Sequence, residues 1–267
     1  MKIYLKIAVL FCLWNFTSTT VLAETQVYGD YNRGCIIGSL PLAEYGIGFQ
    51  ATRRSRDMHY GHPTTIKVIE DIGTKVFAAD LGTVLVGNLS KKNGGPLFEH
   101  SISHQNGLDF DISYQVATKP LSNIMSASYE FKSLLNADKE SLNQKLWNEK
   151  IVAILKITAE EPDVERILVD PLIKKQLCET EKHEDWFKKL RPWFKHDNHF
   201  HVRLKCPADS KTCVAQDPPP NEIGCDGAAY EWWFSEEAKL MRDGKLPKPA
   251  KTTSPAPYPV ECEAVLK

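Results

Sequence analysis

Several common signatures are missing from this sequence, and each absence removes a class of protein. There is no HExxH run, so the common helical zinc-protease design is excluded. There is no GxSxG turn to raise a serine nucleophile. No CxxC pair occurs, which argues against a structural zinc held by four cysteines. The paired glycines at 94 and 95 do not make a phosphate loop. Lys and Arg number 33 against 34 Asp and Glu. The chain therefore has no basic field to hold nucleic acid, and none is expected as a partner. Histidine is scarce, with eight in 267 residues, and three of these fall between positions 196 and 201.

Long apolar runs are also lacking. The one candidate is N-terminal: residues 7–16 form a short apolar stretch behind Lys2 and Lys6, and Asn15 and Ser18 break it up. It is too short for a confident membrane span. With Val21-Leu22-Ala23 offering small residues at a cleavage point, residues 1–23 read as a secretory signal peptide. Cleavage after Ala23 removes two lysines and no acids, so the net charge moves from −1 to −3. It also removes Cys12, leaving Cys35, Cys178, Cys206, Cys213, Cys225 and Cys262. An even count in an exported chain implies three disulfides. Cys206 and Cys213 are close enough to pair, and three connectivities remain for the other four.

About 240 residues suffice for a substantial core in one large or two small domains. One is expected over 24–267, because the polar clusters described below lie far apart in sequence and must meet. Residues 63–79 place Ile66, Val68, Ile69, Ile72 and Val76 at helical spacing behind Pro63. Residues 82–87 read as a buried strand. Residues 108–114 read as a half-buried one after an Asn106-Gly107 turn. Residues 146–159 predict a helix, 166–170 a strand, 171–178 a short helix, 185–190 another and 199–205 a strand. Residues 24–62 show chiefly turn signals. Beyond Cys206 the runs Pro218-Pro-Pro220 and 247–259 are too proline-rich for regular structure. Cys262 nevertheless ties that segment to the body. Helices and strands without a βαβ rhythm predict an α+β fold with an antiparallel sheet and flanking helices.

The chemistry concentrates in two places. His196-Asp-Asn-His199-Phe-His201-Val-Arg sits on the last predicted strand, where alternation turns His199 and His201 to one face. His104-Gln-Asn-Gly-Leu-Asp109-Phe-Asp111 lies upstream. His104, Asp111 and His201 together make the His/His/carboxylate set that zinc uses when one position stays open for chemistry. Asp109 shares a strand face with Asp111 and is the rival ligand. His199 is placed to move a proton or stabilise an oxyanion. Isolated histidines in turns and on strands are more often plain polar residues; here clustering and neighbouring carboxylates favour a metal.

At these residues the chain resembles a known family. Ser103-His-Gln-Asn-Gly-Leu-Asp-Phe-Asp-Ile112 is similar to the SHQxGLDxDI signature of the penicillin-insensitive murein endopeptidases. Arg191-Pro-Trp-Phe-Lys-His-Asp-Asn-His-Phe-His-Val-Arg203 resembles their second signature. Gly34-Cys-Ile-Ile-Gly38, Tyr60-Gly-His-Pro63, Gly82-Thr-Val-Leu-Val-Gly87 and Cys206-Pro-Ala-Asp-Ser210 match in family order. The wider group includes lysostaphin-type peptidases, D-Ala-D-Ala dipeptidases and Hedgehog domains. It shares HxxxxxxD and HxH motifs, which fit His104 to Asp111 and His199 to His201.

The resemblance implies zinc held by His104, Asp111 and His201, with Asp111 preferred over Asp109. It implies His199 as catalytic histidine and His196 as a second catalytic candidate. It also implies the pairs Cys35–Cys262, Cys178–Cys225 and Cys206–Cys213. The implied substrate is the peptidoglycan cross-link between D-alanine and meso-diaminopimelate, met in the periplasm by a mature form with no stable membrane span. The free carboxylate near the cut suits an arginine among Arg53, Arg54, Arg56 and Arg191. Tyr60 and His62 are expected at the cleft, and Trp193, Trp232 and Trp233 in the core. The chain departs from the family at Ser101, where a histidine is usual; His100 is one residue away. A carboxypeptidase or dipeptidase of the same group, or a zinc-containing wall-binding protein without activity, are the alternatives.

Overall fold

The computed structural model describes residues 24–98, 102–246 and 257–266. The expected signal peptide, His100 and Ser101, and most of the second proline-rich run lie outside them. In chain order the strands and helices are β1 (Gln26–Asp30), β2 (Arg33–Ile37), β3 (Leu40–Pro41), β4 (Tyr45–Gly46), β5 (Phe49–Ala51), β6 (Tyr60–Gly61), α1 (Pro63–Ala78), β7 (Thr83–Val86) and β8 (Asp109–Ala117). There follow α2 (Asn123–Ala127), α3 (Glu149–Ala159), β9 (Val164–Val169), α4 (Pro171–Thr180), β10 (Leu190–Pro192), β11 (His199–Leu204), α5 (Gly227–Trp232), α6 (Glu236–Arg242) and α7 (Val260–Val265).

Among the described residues the main sheet runs β10-β9-β11-β8-β7-β5-β4. Its centre is antiparallel: β9 with β11, β11 with β8, and β8 with β7. Toward the flanks β10 joins β9 in parallel and β5 joins β7 in parallel. Between the strands of these parallel pairs the chain passes through α4 and α1 respectively. The fold is thus α+β around an antiparallel centre, with two parallel pairs toward its edges.

Strand alternation divides the sheet into two unlike faces. Phe110 and Ile112 of β8, Phe200 and Val202 of β11, and Ile167 and Val169 of β9 are at most 1% exposed. They share one apolar cluster with Ile69 and Ile72 of α1, Ile154 and Leu155 of α3, and Ile173 and Leu177 of α4. The residues between them on β8 and β11 are Asp109, Asp111, Ser113, His199, His201 and Arg203. The sequence thus spends one face on the core and the other on polar chemistry.

Local signals explain the helix starts. Pro63 stands in the first turn of α1, and the His62 ring accepts the Thr64 N–H. Asp170 does the same for α4, accepting the Leu172 N–H ahead of Pro171. No helix among the described residues is long and apolar enough to cross a membrane.

Several expectations need correction. The first turn-rich stretch holds an antiparallel hairpin, β1 with β2, closed by Asp30 Oδ1 accepting the Asn32 and Arg33 N–H groups. The side-chain turn is what the sequence signalled; the flanking strands are too short to show periodicity. Residues 185–189 form a 3₁₀ turn rather than an α-helix. Outside the proline-rich runs the chain beyond Cys206 forms α5, α6 and α7, each six or seven residues long, which the sequence reading did not anticipate, while residues 218–220 have no regular structure, as expected. Trp193, Trp232 and Trp233 lie outside the core and pack edge-to-face on one another, with Trp193 47% exposed.

Three disulfides fasten the periphery: Cys35–Cys262, Cys178–Cys225 and Cys206–Cys213, the same pairs that the resemblance implies. The first carries the C-terminal helix back to β2.

Candidate metal centre

β8 and β11 place the site by register. His201 lies opposite Asp111, Arg203 opposite Asp109, and His199 opposite Ser113. Directly opposed residues share a face, so both carboxylates and both histidines converge on one side of the sheet. His104 arrives from the loop before β8 in a left-handed backbone conformation, φ 64°. That conformation is costly for a residue with a Cβ, and its surroundings hold it. Its N–H donates to Asp109 Oδ2 at 2.9 Å. The Asn106-Gly107 turn behind it is pinned where the Gly107 carbonyl accepts from the His62 N–H and from Thr65 Oγ1. Gly107 sits at φ 77°, a conformation that strains any residue with a Cβ, and a Cβ there would also press on the Ile36 side chain at 2.6 Å. The Tyr60-Gly-His-Pro63 motif therefore positions the loop. Neither Tyr60 nor His62 lines the cleft: His62 caps α1 and faces Asp209 at 3.6 Å.

The structure brings His104, Asp111 and His201 together. Asp111 Oδ1 lies 3.2 Å from His104 Nε2, 3.2 Å from His201 Nδ1 and 3.5 Å from His199 Nε2. All three members of the triad are at most 6% exposed. Although ring nitrogens surround it, Asp111 Oδ1 is buried with no hydrogen bond. The nitrogens approach it as a cluster of ligand atoms, not as aligned donors. A buried carboxylate oxygen in that state is costly, and a cation among these atoms would satisfy it. Two imidazoles and a carboxylate suit zinc in ligand type and number.

Behind the triad stands Asp109, fully buried. Arg203 donates to both its oxygens, Nε to Oδ1 at 2.8 Å and Nη2 to Oδ2 at 3.0 Å. Burial pushes the Asp109 carboxyl up, but Arg203 and then His201 outweigh it and hold the group well below the usual range. For Asp111 burial again pushes up, and His104 and His199 overcome it. Asp109 Oδ2 faces His201 Nε2 at 3.4 Å. The proton then belongs on Nε2 and the lone pair on Nδ1, the nitrogen beside Asp111. Asp109 thus sits behind the His201 ring and orients it, where the sequence reading made Asp109 a rival of Asp111. Arg203 in turn stacks on Tyr31 with its guanidinium 3.5 Å from the ring centre, and donates to Gln216 Oε1.

His199 sits at the rim, 21% exposed at its side chain. Its Nδ1 is 2.6 Å from the Asn198 side-chain oxygen, which fixes the proton there and leaves Nε2 toward Asp111. His196 Nδ1 lies 3.1 Å from both the Trp193 and Phe194 carbonyl oxygens. Burial, then repulsion from His199 and His201, lowers its pKa to about 3. Its ring lies 5.2 Å from that of His199 and 5.8 Å from that of His201.

A cleft of about 380 Å³ opens beside the triad, lined by His201, His196, Arg191, Trp193, Trp233 and others. Of the four arginines singled out above, only Arg191 lies on it. Arg53 is bound to the Tyr129 carbonyl and Glu130 and lies over Phe131. Arg54 donates to the Leu42 carbonyl, and Arg56 is exposed. Sequence reasoning missed Arg203, Asn198 and Tyr31. Arg203 could have been found, since it follows His201 by two and so shares its face. Tyr31 carries no such signal.

Residues 27–267 match the family of penicillin-insensitive murein endopeptidases. Relatives bearing that name include a protein of Pectobacterium atrosepticum, 37% identical over 254 residues, covering 95% of this chain and 88% of its own. One from Yersinia enterocolitica is 36% identical over 254 residues, covering 95% and 90%. One from Haemophilus influenzae is 36% identical over 241 residues, covering 89% and 81%.

Proposed function

The chain belongs to the penicillin-insensitive murein endopeptidase family, and from that premise we propose that it is an exported, zinc-dependent D,D-endopeptidase. Its substrate is the D-alanyl to meso-diaminopimelate cross-link of peptidoglycan, and its place of action is the periplasm. Residues 1–23 are the leader, and 24–267 form a single metallopeptidase domain; a mature protein beginning at Met1 would refute cleavage. The observation that carries the reading is the convergence of two ring nitrogens on a buried Asp111 oxygen that has no hydrogen bond.

His104, Asp111 and His201 are the residues that would hold the ion. When bound, zinc supplies Lewis acidity, drawing electrons from a carbonyl oxygen and making water nucleophilic at neutral pH. The protein supplies the rest. Asp109, itself held by Arg203, would keep the proton on His201 Nε2 and leave the Nδ1 lone pair on the side of Asp111. Asn198 fixes His199 with Nε2 free, at the rim, where it accepts a proton from the attacking water and returns it to the leaving amine. His196, with its Nδ1–H directed at two carbonyls, keeps Nε2 as an acceptor and is the second candidate for proton transfer. No part of this route forms an acyl-serine, which fits insensitivity to penicillin.

The test is product analysis on purified cross-linked muropeptides. The wild type converts dimers to monomers, and His201→Ala abolishes this, a loss of at least about 10³-fold. Release of terminal D-alanine without loss of dimers would instead identify a carboxypeptidase. Stoichiometric zinc with no turnover would identify a wall-binding protein.

A further inference from the structure

The cleft beside the triad holds a cation without a counterion. Arg191 lies on β10, and no hydrogen bond or ion pair involves its guanidinium among the described residues; Nη1 is buried with no partner. Its neighbours make this worse. Lys174, fully buried, donates only to the Phe187 and Ile223 carbonyls. Burial and then Arg191 lower the Lys174 pKa to about 7. Arg166 shares the cleft and is held by Glu165 and the Asp217 carbonyl. Burial, then Arg166, lowers the Arg191 pKa as well, and Glu222 is the acid that opposes this. An unpaired guanidinium in a part-buried wall is a standing cost unless an anion arrives.

Register fixes where that anion would sit. Arg191 is opposite Leu168, and Leu168 is opposite His201. Arg191 and His201 therefore share one face, two interstrand spacings apart, or about 10 Å between backbones. An arginine side chain is long enough to span much of that gap.

We propose that Arg191 is the specificity residue for the substrate's free carboxylate, binding in bidentate fashion the carboxylate on the carbon that bears the scissile nitrogen. This rests on the endopeptidase reading above. The carboxylate supplies the missing counterion, and its position relative to the cut sets the substrate in register with the triad. Arg53 does not take this role: its guanidinium is already committed to Tyr129 and Glu130.

The experiment compares two purified dimeric muropeptides, one with this carboxylate free and one with it amidated, for the wild type and for Arg191→Gln, Arg191→Lys and Arg53→Gln. Wild-type kcat/KM should fall about 10- to 100-fold on amidation. Arg191→Gln should lose a similar factor on the free substrate and barely distinguish the two. Arg191→Lys should recover part of the discrimination, and Arg53→Gln should keep it whole. Equal wild-type rates on both dimers, or an equal loss by Arg191→Gln on both, overturns the assignment and leaves the endopeptidase reading standing. A wild type that cleaves neither removes both.

Discussion

At the scale of single residues, the proposed site depends on which of two carboxylates joins His104 and His201. Asp109 and Asp111 share a strand face, and alternation alone does not separate them. The neighbours on β11 do: Arg203 is opposite Asp109 and His201 opposite Asp111. Asp109 is consumed by Arg203, and Asp111 is left bare. Asp109→Asn should keep the side-chain volume, remove one charge and weaken the hold on His201. Zinc affinity, measured by competition with a chromophoric chelator, should fall about 10- to 100-fold. Unchanged affinity would show that Asp109 does not orient His201. That His104, Asp111 and His201 would come together was legible in the sequence because each motif is local: a turn before one strand, and alternation along another. Arg191 was legible only as one of four arginines. Its selection needed β10 beside β9, a parallel pairing that no local pattern announces.

Among the elements, those with long periodic patterns were readable, and α1, α3, β8 and β11 lie where spacing puts them. α4 lies where a short helix was expected over 171–178, and its cap is Asp170, which the sequence reading put at the end of a strand. The same cap gives a pH signature. Asp170 is 4% exposed, and its pKa is raised to about 6, chiefly by burial and further by Asp197, against the Leu172 N–H, Lys139 and Arg242. Because the folded value lies above the ordinary 3.8, the folded state holds the proton more tightly than the unfolded chain. Below about pH 4 both states are protonated and nothing is lost. Stability then declines as pH rises to about 6, and the full cost, roughly 3 kcal/mol, persists above that. Asparagine keeps the cap acceptor and removes the charge. Asp170→Asn should therefore match the wild type in urea midpoint at pH 4 and exceed it at pH 7 to 8. A difference that does not change with pH would overturn this account. The short helices α5, α6 and α7 were not readable, because six or seven residues give too few turns for a pattern and tertiary contacts decide them.

For the whole molecule, the cysteine count and the expected export implied that covalent ties would hold the periphery, and the structure shows what one of them does for the site. Cys35–Cys262 joins residues 227 apart in sequence. It brings α7 against β2, where Leu266 approaches Gly95 and Tyr258 donates to Gln105 Oε1 at 2.6 Å. Gln105 follows His104, and its carbonyl accepts the Gly95 N–H. The C-terminal segment thus buttresses the loop that carries a proposed ligand. In chain-entropy terms this long closure contributes about 5 kcal/mol, against about 2.5 kcal/mol for Cys206–Cys213, whose cysteines are 7 apart in sequence. Replacing Cys35 and Cys262 together by serine should lower urea stability by the larger amount. It should also weaken zinc binding, because the His104 loop loses its support. Serines at Cys206 and Cys213 should cost about half as much. If both double variants lose equal stability, closure length is not what the first disulfide contributes. If the Cys35 and Cys262 variant keeps its full metal affinity, the His104 loop stands without the C-terminal helix.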